Sequence, residues 1–378
     1  MNRTECAEIR RTYATERSTV SKIYGAYVNS TKEIIAKFER SLFDSSEDEC
    51  DKYLALFRKT LSGKCGRNLI DIPFTTEEVA SGEKHKLLRD VLKGDEGLDG
   101  LYEKIIASYD SKENYVILLA RSKYDVIIKA KDGEGSDSSE VYSFFTVAIC
   151  PVKLTKAALA YDPKEKLFAE SPTDNVIMPP EAGFTFPAFD ERRTNLYSAL
   201  FYTKSADEAY SELTSSLFGG GMKMPANEQK KVFHEVISET LSDNCSYEVV
   251  KNIRRTVGAL VEEHKASKER EELYLTKHDV RDILSVSGVK ADALDTFSDK
   301  FTESFGSNAD VLPENVIDIK KTELRTPDVV IKVTPGKEDL IRTEVIDGVE
   351  YILIRADEGV EFNGLDLARL TKPGKTED

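Results

Sequence analysis

The residue types best suited to chemistry lie in one run, Gly183-Phe-Thr-Phe-Pro187-Ala-Phe-Asp190-Glu-Arg192-Arg193-Thr-Asn-Leu196. Two adjacent guanidinium groups can hold a phosphate or carboxylate through paired N–H donors. Asp190 or Glu191 would then stand beside a small anionic substrate as the base. The competing reading is structural, with Arg192 and Arg193 pairing with Asp190 and Glu191 next to them. A second basic run, Lys251-Asn-Ile-Arg254-Arg255, falls on a stretch of helical spacing, where a solvated face is the plainer reading. Lys320 and Lys321 with Arg325 make a third, modest patch.

Other constellations fail on position. Lys59-Thr-Leu-Ser-Gly63-Lys64-Cys65 contains Gly-Lys, but Arg58 stands where a P-loop needs its first glycine. Cys65 stands where a hydroxyl must meet Mg²⁺. Gly219-Gly-Gly221 follows a helical pattern rather than a strand, so it does not make a dinucleotide fingerprint and reads as a turn between helices. His234-Glu-Val-Ile-Ser238 begins like a zinc-protease helix, yet Ser238 cannot supply the second imidazole. The acidic loop from Asp132 ends at Ser143, where a calcium loop needs a bidentate Glu. No G-x-S-x-G elbow occurs. A Cys–His pair would have to be assembled by folding. The expectation is therefore no metal and no cofactor.

Composition narrows the classes further. Lys and Arg number 53 against 68 Asp and Glu, a formal net charge of -15. Such a surface repels polyanions on average, which excludes coating of nucleic acid by the whole molecule but leaves room for a local patch. No apolar run reaches the roughly 18 residues of a membrane span, and the N-terminal MNRTECAEIRR lacks the apolar core of a secretory signal. Five scattered cysteines without C-x-x-C read as reduced thiols. These features point to a soluble cytoplasmic protein with no membrane association.

Several kinds of element must position these residues. Ser46-Glu-Asp-Glu49 is a capping pattern ahead of Cys50, Tyr53, Leu54, Phe57 and Leu61 at helical spacing, and Leu98 to Tyr109 repeats the device. Thr75 to Gly97 reads as a loop with a short helix. Tyr115 to Ala120, Tyr124 to Ile128 and Val141 to Cys150 read as strands, and the polar segment Lys131 to Ser139 joins the last two. Helical spacing returns from Ala206 to Phe305, with His264 to Glu272 as a solvated connection. Asp347-Gly348 between apolar flanks predicts a type I′ hairpin.

The runs TLSGKCGRNLI from Thr60, NYVILL from Asn114, EVYSFFTVAICPVKLTK from Glu140, GFTFPAFDERRTN from Gly183, DNCSYEVVKNI from Asp243 and TPDVVIKV from Thr326 resemble an uncharacterised bacterial family, domain of unknown function number 4317, mainly of Firmicutes. That resemblance implies no known activity, cofactor or catalytic residue. In element order the chain is also similar to the nucleoid-associated proteins of the YejK/NdpA type, through Ser216 to Glu239, Leu275 to Phe305 and Val329 to Arg355. This similarity implies a local surface that meets nucleic acid or a nucleoid protein.

The expected fold is α+β: a mainly helical region over 1–109, an antiparallel sheet region over 110–204, a helical region over 205–306, C-terminal strands with a β-hairpin over 307–365, and a flexible tail over 366–378. The leading function is a non-enzymatic binding or assembly protein, extending to nucleoid association. The alternatives are an enzyme using Arg192 and Arg193 as an anion clamp, and a homo-oligomeric scaffold. Candidate anion- or partner-binding residues are Asp190, Arg192, Arg193, Lys251, Arg254 and Arg255.

Overall fold

The computed structural model describes residues 1–127, 139–156, 158–162, 164, 166–171, 173–208, 210–219, 224–267, 269, 271–306, 309–319 and 321–367. The fold is α+β. By internal contacts it forms two units, residues 1–229 with 268–272 and residues 230–267 with 273–378.

The first unit runs α1 (Arg3–Arg11), β1 (Lys22–Val28), β2 (Ile34–Ser41), α2 (Glu47–Thr60), β3 (Leu69–Pro73), α3 (Thr76–Ser81), α4 (Glu83–Lys93), α5 (Leu98–Ser108), β4 (Tyr115–Ile127), β5 (Ser139–Leu154), β6 (Ala158–Asp162), β7 (Leu167–Ser171), β8 (Asn175–Ile177), β9 (Ala182–Phe186), β10 (Ala188–Asp190), β11 (Arg193–Asn195), β12 (Ser198–Thr203) and α6 (Ser211–Phe218). Its main sheet is antiparallel throughout, in the order β2-β1-β4-β5-β9-β12-β3, with β8 added to β5. Residues 1–109 and 110–204 thus contribute strands to one and the same sheet.

Helices cover both faces of that sheet, and the sequence shows the effect. An antiparallel strand with one wet face alternates apolar and polar residues, whereas Tyr115-Val-Ile-Leu-Leu-Ala120 is apolar throughout. Tyr115, Ile117 and Leu119 enter the core that holds Leu88, Leu101 and Leu217 of α4, α5 and α6. Val116, Leu118 and Ala120 enter the opposite core, with Ile9 of α1 and Phe57 of α2. Each large apolar side chain so buried contributes about 1.5–3 kcal/mol against exposure. Gly183 is required where strands crowd, because a Cβ there would lie 2.4 Å from the Val147 carbonyl oxygen.

Two differences from the sequence expectation lie in this unit. β1, β2 and β3 fall in the region read as mainly helical. The apolar residues of β1 have no helical period, and its place between β2 and β4 is fixed by partners distant in sequence. Thr75 to Gly97 holds two helices rather than a loop with one short helix. α4 gains its ends from elsewhere in the chain: Glu78 Oε1 accepts the amides of Lys84 and His85 at 2.9 and 3.0 Å. At the other end Arg121 donates Nε to the Val91 carbonyl at 2.6 Å and Nη2 to the Gly94 carbonyl at 2.5 Å. Both ends therefore have their orphan backbone groups partly satisfied by charged side chains.

The second unit contains most of α7 (Ala226–Leu241), with α8 (Tyr247–Ser267), α9 (Lys277–Val286), α10 (Ala291–Phe305), α11 (Pro313–Val316), β13 (Thr322–Arg325), β14 (Val330–Val333), β15 (Ile341–Ile346) and β16 (Val349–Ile354). Phe233, Val257, Leu284, Phe297, Phe301 and Val316 sit at the centre of its core. Thr276 and Asp279 form a reciprocal capping box at the start of α9. α8 runs on to Ser267, past His264 where the solvated connection was expected to begin. β13 pairs with β14 and β15 with β16, the latter around Asp347 and Gly348 at φ +52° and +79°, as a type I′ turn requires. The joining segment at 131–138, the second and third glycines of Gly219–Gly221, and tail residues 368–378 lie outside the described residues. No helix among the described residues is long and apolar enough to cross a membrane.

Candidate binding cleft

The structure separates the two basic runs. Arg192 occupies the two-residue turn between β10 and β11, where Glu191 and Arg192 both have positive φ, +48° and +58°. The side chain does not pair with the neighbouring acids. Its backbone amide donates to Glu5 Oε1 at 3.1 Å and Nη2 donates to Glu8 Oε1 at 2.9 Å. Glu8 Oε1 also accepts the Tyr124 hydroxyl at 2.5 Å. Arg192 thereby fastens the hairpin to α1. Arg193 is exposed and has no ion-pair partner among the described residues. Asp190 accepts from Asn195 Nδ2 at 3.4 Å. One of the two adjacent guanidinium groups is thus committed to a protein carboxylate.

The second run gathers more. Lys251, Arg254 and Arg255 lie on α8 and line a cleft of about 1540 Å³ within the second unit. Its floor includes Phe233 and Ile237 of α7, Val250 and Ile253 of α8, and Ile319. Its far wall comes from the two hairpins, through Leu324, Val329, Ile331, Tyr351 and Ile352. Val250, Val329 and Tyr351 are 38%, 53% and 45% exposed, so the cleft presents apolar surface to solvent.

The polar side of α8 holds the wall in place. Tyr247 donates its hydroxyl to the Glu338 carbonyl at 2.9 Å. Lys251 Nζ lies 2.8 Å from Glu248 Oε2 and 3.2 Å from Asp339 Oδ1, and 5.6 Å from the centre of the Tyr247 ring. Those hydrogen bonds, first that to Glu248, hold its ammonium above the ordinary lysine range. Arg254 donates to the Asp318 carbonyl, to the Lys321 carbonyl at 2.8 Å and to Thr322 Oγ1 at 2.6 Å. Thr322 in turn donates to Glu338 Oε1 at 2.9 Å. Of the three cations in this run, Arg255 alone is exposed and without a polar partner among the described residues.

The cleft carries little reactive equipment. His234 and Cys245 both line it, but the His234 Nε2–H bonds the Val316 carbonyl at 3.0 Å. No hydrogen bond joins this imidazole to the Cys245 thiol, the contact a thiol nucleophile would need from its base. Among the described residues no cluster of three or more His, Cys, Asp and Glu side chains could hold a metal ion. Sequence reasoning placed strands and a hairpin here but not their meeting with α7 and α8, although Val329-Val-Ile-Lys-Val333 carried a signal. Its apolar residues are too many for a strand that packs only one face.

A family model described as a domain of unknown function, DUF4317, matches residues 1–365. The chain belongs to the DUF4317 family. The match runs through both units and takes in the whole cleft, so helices and hairpins that form it are all within the family's extent. A search of curated proteins found no match.

Proposed function

We propose that the protein is a non-enzymatic binding protein that takes an extended, apolar-rich segment of another polypeptide into the cleft of its second unit. The observation that carries this reading is the convergence of exposed Val250, Val329 and Tyr351 in one concavity. Size favours a polypeptide over a metabolite, since about 1540 Å³ exceeds the roughly 300–1,000 Å³ of small-molecule pockets. The wall supplies a second means of recognition. β13–β14 and β15–β16 are two-stranded ribbons whose outer edges are unpaired among the described residues, and such edges accept an added strand.

Nucleoid association through α8 draws less support. Lys251 and Arg254 are engaged with protein groups, leaving Arg255 as its one unengaged cation among the described residues, whereas phosphate binding rests on several. The setting in this reading is the bacterial cytoplasm.

The test is a random-peptide phage library panned on the full chain, with affinities measured by fluorescence anisotropy. Enriched peptides should alternate apolar and polar residues and lose at least about tenfold in affinity on both Val250→Glu and Tyr351→Glu. The proposal fails when no peptide is enriched, or when binding ignores both variants. Self-association in light scattering that both variants abolish would reassign the cleft to a second copy. Salt-sensitive DNA binding in a gel shift, indifferent to both variants, would favour the nucleoid reading.

A further inference from the structure

Strand β2 (Ile34–Ser41) ends the main sheet of the first unit. β1 pairs with one side of it, and among the described residues no strand pairs with the other. Ile34, Ile35, Ala36, Lys37 and Glu39 are all exposed, and Phe43, just past the end of the strand, is 85% exposed. An open edge is a template for another strand, and like charges set opposite each other across it oppose the pairing. β2 carries both signs. Lys37 and Glu39 stand on one face, either side of Phe38, whose ring lies on the other face over Gly25.

We propose that β2 is a homodimer interface, pairing antiparallel with β2 of a second copy about a twofold axis at Phe38 and joining the two main sheets into one. Charge selects both the partner and the register. An axis at Phe38 puts Lys37 opposite Glu39 twice, once on each side of the axis, and opposite charges facing across paired strands attract. It also puts Ile35 opposite Ser41, so the exposed apolar start of one strand runs beside the end that leads to Phe43 in the other. An axis at Lys37, Glu39 or Arg40 would instead set that charge against its own copy. Within one chain, Lys37 Nζ lies 2.6 Å from Asp99 Oδ1 and Lys22 Nζ lies 2.7 Å from Glu39 Oε2. These exposed pairs contribute little, and an ammonium or a carboxylate has hydrogen-bonding capacity for a further partner.

The full chain is followed by multi-angle light scattering over a dilution series, with folding confirmed by circular dichroism. The samples are wild type, Lys37→Glu, Glu39→Lys, the double exchange of both, and an equimolar mixture of the two single variants. Wild type should give the mass of two chains. Each single variant should weaken the dimer by at least about tenfold, because one substitution sets like charges opposite at two symmetric places. The double exchange should restore the dimer, since the two signs have traded places. The mixture should restore it too, as one copy then brings two carboxylates and the other two ammonium groups. Effects confined to one chain give no such recovery, because Asp99 and Lys22 stay mismatched in the single variants. A wild-type monomer at every concentration overturns the proposal. So does a dimer that neither single variant weakens, a mixture no tighter than either variant alone, or a dimer lost only in Val250→Glu and Tyr351→Glu.

Discussion

Arg254 binds the carbonyl of Asp318 twice, through Nε at 3.1 Å and through Nη2 at 2.6 Å. With its bonds to Lys321 and Thr322 it fixes the approach of β13 to α8, and so the shape of the cleft. Arg254→Ala should destabilise the protein by about 2–4 kcal/mol, because several carbonyls lose charged donors together. Arg254→Lys should recover little of this, since one ammonium cannot reproduce the planar fork. Urea denaturation of both variants measures the difference.

Gly183 and Gly25 predict opposite tolerance to the same change. A Cβ at Gly183 meets backbone, the Val147 carbonyl oxygen, whereas a Cβ at Gly25 meets the ring of Phe38 on exposed strand β2. A ring can swing away and a paired strand cannot. Gly183→Ala should cost roughly 3 kcal/mol or more, and Gly25→Ala about 1 kcal/mol. Equal melting temperatures for the two variants would contradict this.

Asp318 gives a pH dependence of known sign. The hydrogen bond from the Lys230 ammonium at 2.5 Å holds its carboxyl below the ordinary carboxylate range. A depressed carboxyl contributes stability above its unfolded pKa, near pH 4, and loses it as pH falls through the folded value. Wild type should exceed Lys230→Met in stability at pH 7, by less than about 1 kcal/mol because Asp318 is largely exposed. The gap should close as pH falls through the folded value. Urea midpoints across that range provide the check.

The β10–β11 turn holds two non-glycine residues at positive φ. Glu191 is exposed, whereas Arg192 is tied to Glu8. Glu191→Asn should stabilise by a few tenths of a kcal/mol, since asparagine tolerates the left-handed region better. Arg192→Ala should lose about 1 kcal/mol through its half-exposed ion pair. Thermal melts that rank these two variants the other way would refute the assignment of roles.

What could be read from the chain follows from how local each cause is. Tyr115–Ala120 announces a strand because burial on both faces makes it continuously apolar, and Asp347-Gly348 announces its hairpin through backbone conformation alone. Helix α4 hides because its caps, Glu78 and Arg121, are supplied by residues outside it. The basic run on α8 was legible as a cluster but not as an anchor, since Asp318, Thr322 and Asp339 come to it only through folding. The cleft was illegible for the same reason. Helix α7 and the hairpins meet across most of the second unit's sequence, and neither pattern names the other.

Among the described residues, strand β3 has a single neighbour in the sheet, β12, which the chain supplies only much later. During synthesis, Leu69–Pro73 therefore leaves the ribosome as an unmated ribbon, and Ser198–Thr203 must follow it out before it can dock. Translation itself opens an interval in which a chaperone has something to hold.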